Sequence, residues 1–229
     1  MSEKFKPDYT PFSKPLTQEP YSHKVKAIEG VDEKVLRIEY ADPDAHTPDE
    51  MIEQFKKAES VFNRLQKEYG IHVINMDMVL GQDTAGDKKM YMLVDKIEGE
   101  NVEKVESVPI EEKNKFDAFY SGLLSYIRDS FKTNDANFFS DIKPDQFVYG
   151  HKVGETNERD EIYLVDTEPQ LHDLNTLSPE EKEELLQKYK EYMLQCIAKT
   201  EKSFSTVVSL EKARLIANSM LNKDEQNRE

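Results

Sequence analysis

The order of patterns along the chain predicts an α+β fold in two lobes. Alternating strand-like runs with one long amphipathic helix occupy residues 24–94. A break follows at residues 96–101, and from there the pattern is helical with one small hairpin. A length of 229 residues suits one large domain or two small lobes. The expected divisions are an N-terminal arm over residues 1–20, an N-lobe over 21–97, a C-lobe over 98–221 and a polar tail over 222–229. With 11 Phe and 11 Tyr the chain carries enough large apolar side chains for a core, although 34% of its residues are charged.

Each element has a local reason. Pro7, Pro11, Pro15 and Pro20 remove backbone donors at near-regular spacing, so the first twenty residues read as an extended arm. Residues 24–28 and 34–40, separated by a turn at Glu29-Gly30-Val31-Asp32, read as an antiparallel hairpin. Arg37 leaves that second strand on the face opposite Leu36. Thr47, Pro48 and Glu50 spell a capping box with proline in the first turn, and Gly70 stops the helix that follows. Its apolar stripe is Met51, Phe55, Ala58, Phe62, Leu65 and Tyr69, which places Glu59 at the stripe's edge. Residues 71–80 and 89–94 read as two strands around a turn rich in Gly and Asp. Pro109 opens a long helical segment with Phe116, Tyr120, Leu123, Leu124, Ile127 and Phe131 on its inward face. A loop over residues 138–146 leads to short strands at 147–149 and 162–165, and two helices complete the chain. The first of these is capped by Ser178, Pro179 and Glu181.

Charge and cysteine content exclude several function classes. Lys and Arg total 31 against 46 Asp and Glu, a formal charge of −15. Such a surface repels phosphate backbones and anionic lipid heads, so neither nucleic acid nor membrane is an expected partner. Cys196 is the single cysteine, which excludes an intramolecular disulfide and a four-cysteine zinc site. With no secretory-type apolar run and no stretch long enough to span a bilayer, a cytoplasmic location is expected.

The most informative residues lie late in the chain. Ser140-Asp141-Ile142-Lys143-Pro144-Asp145-Gln146-Phe147-Val148 places an acid, a lysine two residues on and an amide five on in a loop after a long helix. Ile162-Tyr163-Leu164-Val165-Asp166-Thr167-Glu168-Pro169 then closes an apolar strand with a second acid. A hairpin over 147–165 would bring the two acids to one end. That set offers a carboxylate to take a hydroxyl proton, a lysine to neutralise a phosphoryl group, and two oxygen donors for Mg²⁺.

Asp141-Ile142-Lys143-Pro144-Asp145-Gln146-Phe147 resembles the catalytic loop of the protein-kinase-like superfamily, Asp-x-Lys-Pro-x-Asn. Val165-Asp166-Thr167-Glu168 resembles its metal-binding segment, in the Asp-x-Glu form common among aminoglycoside-phosphotransferase-like kinases. The element order over about residues 21–170 is similar as well. The resemblance implies a two-lobed kinase-like fold and an ATP- and Mg²⁺-dependent transfer to a hydroxyl of a small molecule or protein. It implies Asp141 as catalytic base and Lys143 as the contact to the moving phosphoryl group. Gln146 and Asp166 become the Mg²⁺ ligands. Arg37 falls at the position of the phosphate-holding lysine, Glu59 at that of its helix partner, and Asp95, Lys96 and Ile97 at the hinge that holds adenine.

The chain departs from the pattern at several positions. Phe139-Ser140 stands where His-Arg is usual, Gln146 replaces asparagine, Arg37 replaces lysine, and neither a glycine-rich phosphate loop nor an Ala-Pro-Glu segment is present. These departures support an alternative, a pseudokinase acting as a nucleotide- or protein-binding module; an acidic adaptor unrelated to kinases is a third reading. Single features also have plainer readings. Asp141-x-Lys-Pro could be a surface turn. Arg37 could be a solvent-facing strand residue beside Glu39, and Glu59 a helix-margin residue near Lys56 or Asn63. The Asp83–Asp87 turn lacks calcium-loop spacing, the five histidines show no metal-ligand spacing, and Cys196 reads as a core thiol.

Overall fold

The computed structural model describes residues 25–28, 30–40, 48–82, 88–155, 159–167 and 170–220. The N-terminal arm, the Thr47 cap, the turn over 83–87, Glu168 and the polar tail lie outside the described residues. In chain order the elements are β1 (Val25–Ile28), β2 (Val31–Tyr40), α1 (Pro48–Tyr69), β3 (His72–Val73), β4 (Met76–Gln82), β5 (Lys88–Asp95) and β6 (Ile97–Asn101). These are followed by α2 (Lys113–Thr133), β7 (Phe138–Phe139), β8 (Phe147–Lys152), β9 (Glu161–Leu164), β10 (Leu171–His172), α3 (Pro179–Ser203) and α4 (Glu211–Ser219). The protein is thus a mixed α and β structure, with a sheet-rich part and a helical part. No helix among the described residues is long and apolar enough to cross a membrane.

The chain divides into two compact units. One comprises residues 1–56, 74–98 and 150–160; the other comprises 57–73, 99–149 and 161–229. The first is built on an antiparallel sheet of order β1-β2-β5-β4. Gly30, at φ 76°, makes the β1–β2 turn in a conformation that side chains resist. β2 is flanked on both edges, with Arg37 opposite Val25 on one side and Met92 on the other. Val35, Leu36, Met92 and Val94 are buried in this unit.

The second unit is organised around α2. Phe116, Tyr120, Leu123, Leu124, Ile127 and Phe131 are all buried, as the period of the sequence predicts, and Phe119 and Tyr126 join them. α3 begins with the complete Ser178–Glu181 capping box. The carboxylate of Asp117 accepts from the Ala213 amide at 2.9 Å, so an α2 side chain caps α4. Glu201 holds the same region by accepting from the Leu210 amide and from Arg214 Nε, each at 2.8 Å. Gly70, at φ 66°, ends α1.

Two of the differences from the sequence expectation are long-range. The strand-like run 71–80 is two strands: β3 pairs parallel with β9, whereas β4 pairs antiparallel with β5. Residues 96–101, expected as a break toward helix, include β6, which lies beside β8 at the edge of the sheet β3-β9-β8-β6. Pairing of β3 and of β6 with strands about fifty or more residues away decides both, and local periodicity carries no trace of it.

Gly122 gives a test in which two effects oppose each other. Alanine is about 1 kcal/mol better than glycine in a helix interior, but a Cβ there would lie 2.4 Å from the Tyr69 carbonyl oxygen. Backbone cannot swing aside as a side chain can, so Gly122→Ala is expected to lower the urea midpoint. A midpoint at or above that of the parent would show that α1 and α2 are less closely held.

Candidate functional site

The loop 139–146 is positioned from beneath by aromatic residues. The Tyr126 and Phe138 rings stack at 5.6 Å, and Phe131 and Tyr189 meet Phe138 edge-on at 5.4 and 5.7 Å. The phenols then serve the backbone. The buried Phe139 amide donates to Tyr126 Oη at 2.8 Å, and Tyr189 Oη donates to the Ser140 carbonyl at 2.6 Å. Burial pushes the Tyr126 phenol up to about 12. Burial likewise raises Tyr189, with Asp141 adding to the effect, so both groups remain neutral hydroxyls. The Ser140 amide donates to the Gln170 carbonyl at 3.0 Å. Asp141 therefore follows two residues whose main chain is tied down.

Alternation along the loop separates anchor from chemistry. Ile142 is fully buried and Pro144 is buried, while Asp141 and Lys143 leave the chain between them. Lys143 Nζ meets Asp141 Oδ1 at 2.8 Å; the lysine side chain is 45% exposed and the aspartate 12%, so the pair is open on the lysine side. The hydrogen bond to Asp141 is the main cause that raises Lys143 above its ordinary value, so it stays charged. Asp145 is raised by partial burial and by Glu103, against the opposing influence of Lys143.

The segments that carry Gln146 and Asp166 adjoin through their main chains. The Gln146 carbonyl accepts from the Val165 amide at 3.0 Å and from the Asp166 amide at 3.4 Å, so the loop's end and the end of β9 are joined through the backbone. Among the described residues no three His, Cys, Asp or Glu side chains come together as a metal site. Gln146 and Asp166 carry oxygen donors of the kind Mg²⁺ accepts, and that ion needs few protein oxygens when phosphates supply others.

The other predicted residues are placed as follows. Arg37 is buried in the sheet-rich unit, at 8% exposure, so the solvent-facing reading of it is corrected: its cross-strand partner Met92 leaves the sheet on the same face and is itself fully buried. Glu59 is exposed, which corrects its expected position at the buried edge. Val61, absent from the predicted stripe, is buried, and it shifts the buried arc of α1 to the side away from Glu59. Glu59 makes no hydrogen bond or ion pair among the described residues. Asp95 accepts from Asn75 at 2.8 Å and Lys34 at 3.2 Å, and lies 3.3 Å from Lys152. The Lys96 amide donates to the Glu33 carbonyl at 2.9 Å, and its carbonyl accepts from the Val153 amide at 3.0 Å. Ile97 begins β6. Cys196 is buried as expected, and burial pushes its thiol up to about 12.

Sequence reasoning missed the supporting residues. Neither Tyr126 nor Tyr189 is among the expected inward residues, and nothing in helical spacing shows that a phenol serves a loop. Asn101 donates to the Asp145 carbonyl, and Tyr192 donates to Glu103, across 44 and 89 residues of chain respectively. Such distant pairings leave no local signature.

No protein-family model and no curated protein matches the chain. Among solved structures, a crystal structure of WbdD is similar at 12% identity and a TM-score of 0.40, over 93% of this chain and 47% of that one. A second structure, described as the bifunctional kinase-methyltransferase WbdD, is similar at 14% identity and a TM-score of 0.37, over 86% and 43%. The chain thus spans less than half the length of either.

Two outcomes follow from this geometry. Removing the Tyr126 hydroxyl leaves the Phe139 amide buried without an acceptor, so Tyr126→Phe should cost about 1–3 kcal/mol in urea unfolding. For Asp95, burial alone would raise the carboxyl, but Lys34 and Lys152 outweigh it and hold it below its ordinary value. Its contribution to stability is therefore complete above the unfolded pKa of about 3.9 and is lost as pH falls through the lower folded value. Asp95→Asn should shallow the acid limb of the stability–pH curve; an unchanged limb would show that these cations stabilise nothing through Asp95.

Proposed function

We propose that this protein is a kinase-like phosphotransferase, in a two-lobed kinase-like arrangement, that transfers the γ-phosphoryl group of ATP to a hydroxyl of a small molecule or protein. The observation that carries this reading is the Asp141–Lys143 pair at 2.8 Å on a loop whose last residue, Gln146, is hydrogen-bonded through its main chain to Asp166. It puts a proton acceptor, a phosphate-neutralising cation and two oxygen donors on adjoining segments, the set that phosphoryl transfer needs.

In this reading Asp141 orients the acceptor hydroxyl and takes its proton as the new O–P bond forms and the bond to the departing ADP breaks. Lys143 contacts the moving phosphoryl oxygens, where its charge offsets theirs. Gln146 and Asp166 hold Mg²⁺, which when bound supplies the positive charge that a triphosphate requires. Arg37 takes the non-transferred phosphates, as a buried guanidinium suits planar, two-pronged recognition. The segment Asp95-Lys96-Ile97 frames the adenine, and Lys96, whose main chain is already paired on both sides, acts by holding that segment still.

One observation favours the second reading, a pseudokinase that binds nucleotide or protein without turnover. Active kinases need a helix glutamate paired with the phosphate-holding base, and Glu59 is exposed without a partner among the described residues.

The test is a thermal-shift titration with ATP, with and without Mg²⁺, alongside turnover measured as ADP release. An enzyme should be stabilised by nucleotide only when the metal is present. Asp141→Asn should keep that stabilisation and lose about 10²-fold or more in turnover; Asp166→Asn should lose both. Undiminished turnover in either variant would remove the assignment, and no shift at millimolar ATP would favour the non-nucleotide scaffold.

A further inference from the structure

A second feature of the helical unit lies away from the 139–146 loop. A groove of about 530 Å³ runs along the C-terminal half of α1 and the segment after α2, lined by Lys57, Ser60, Asn63, Arg64 and Lys67, with Asp135 and Asn137 opposite. Lys57, Ser60, Arg64 and Lys67 follow one another at spacings of three and four, so they share one face of the helix.

Its hydrogen-bonding capacity is unbalanced. Among the described residues, the ammonium groups of Lys57 and Lys67, the Ser60 hydroxyl and the side-chain amides of Asn63 and Asn137 make no hydrogen bond or ion pair. Arg64 Nε is buried with no hydrogen-bond partner. The acceptor opposite is already in use: Asp135 takes Arg64 Nη2, the Ser130 hydroxyl and the Asn137 main-chain N–H. Arg64 is in turn fixed over the Tyr126 ring, 5.3 Å from its centre. Only Glu68 adds a further carboxylate to the lining. A local surplus of cations and donors in a chain of net charge −15 is not a reflection of composition.

We infer that this groove binds a tetrahedral oxyanion, the phosphate or sulfate group of a small molecule. Such a group brings acceptors where donors are in excess, and the ammonium groups flank it while the hydroxyl and amides supply neutral hydrogen bonds. The site is independent of the phosphotransferase reading and lies outside the residues assigned to it.

The full chain, labelled with ¹⁵N, is titrated with pyrophosphate in the absence of Mg²⁺, and with sodium chloride at matched ionic strength. Saturable shifts of the Ser60, Asn63 and Arg64 amides are expected with pyrophosphate and not with chloride. The double variant Lys57→Gln/Lys67→Gln should weaken binding at least about tenfold, whereas Lys202→Gln, exposed at the end of α3, should leave it unchanged. Saturation by sulfate at the same amides supports the assignment as well. Equal shifts with chloride, no saturation, or unchanged affinity in the double variant would overturn it.

Discussion

Burial of phenol rings against the main chain of one loop is the constraint on which the candidate site depends. Tyr126 and Tyr189 each bury an aromatic ring and present the hydroxyl to a backbone group of Phe139 or Ser140. A buried amide or carbonyl without a partner costs free energy, so these two contacts fix the chain just before Asp141. From there, alternation does the rest: Ile142 goes into the core, and Asp141 and Lys143 meet on its other side.

The same reasoning explains a departure from the kinase-like pattern. Phe139 occupies a position where the resembled motif has a polar ring, and it is fully buried, packing edge-on against Phe62 at 5.4 Å. An apolar ring there meets the packing need without a side-chain hydrogen bond, and the Phe139 amide supplies the tie through Tyr126. Loss of the usual residue therefore does not imply loss of the loop's position. The glutamine at 146 is different in kind. Its main-chain carbonyl, not its side chain, makes the bond to the Asp166 segment, so the extra methylene leaves that junction intact and bears only on where the amide oxygen sits.

Charge is distributed with the same economy. Asp95 gathers Lys34, Lys152 and Asn75 in the sheet-rich unit, while Arg64 and Asp135 form a comparable pin in the helical one. In each case the carboxylate is mostly shielded and approached by more than one donor, the condition under which an ion pair offsets its own desolvation. Exposed pairs such as Lys96–Glu98 contribute little by comparison.

What could be read from the chain alone was whatever depends on near neighbours. The span of α1, with Pro48 at its start and Gly70 past its end, the inward face of α2, the capping box of α3 and the Asp141–Lys143 spacing all follow from contacts within a few residues. Only the tertiary structure decided that residues 71–80 divide between two sheets, that residues 97–101 form a strand, and that Glu59 faces solvent. The same is true of the phenols that hold the loop. Each of these turns on which distant segment lies alongside, and the free energy of that choice comes from burial and pairing between residues far apart in sequence, which no local period records.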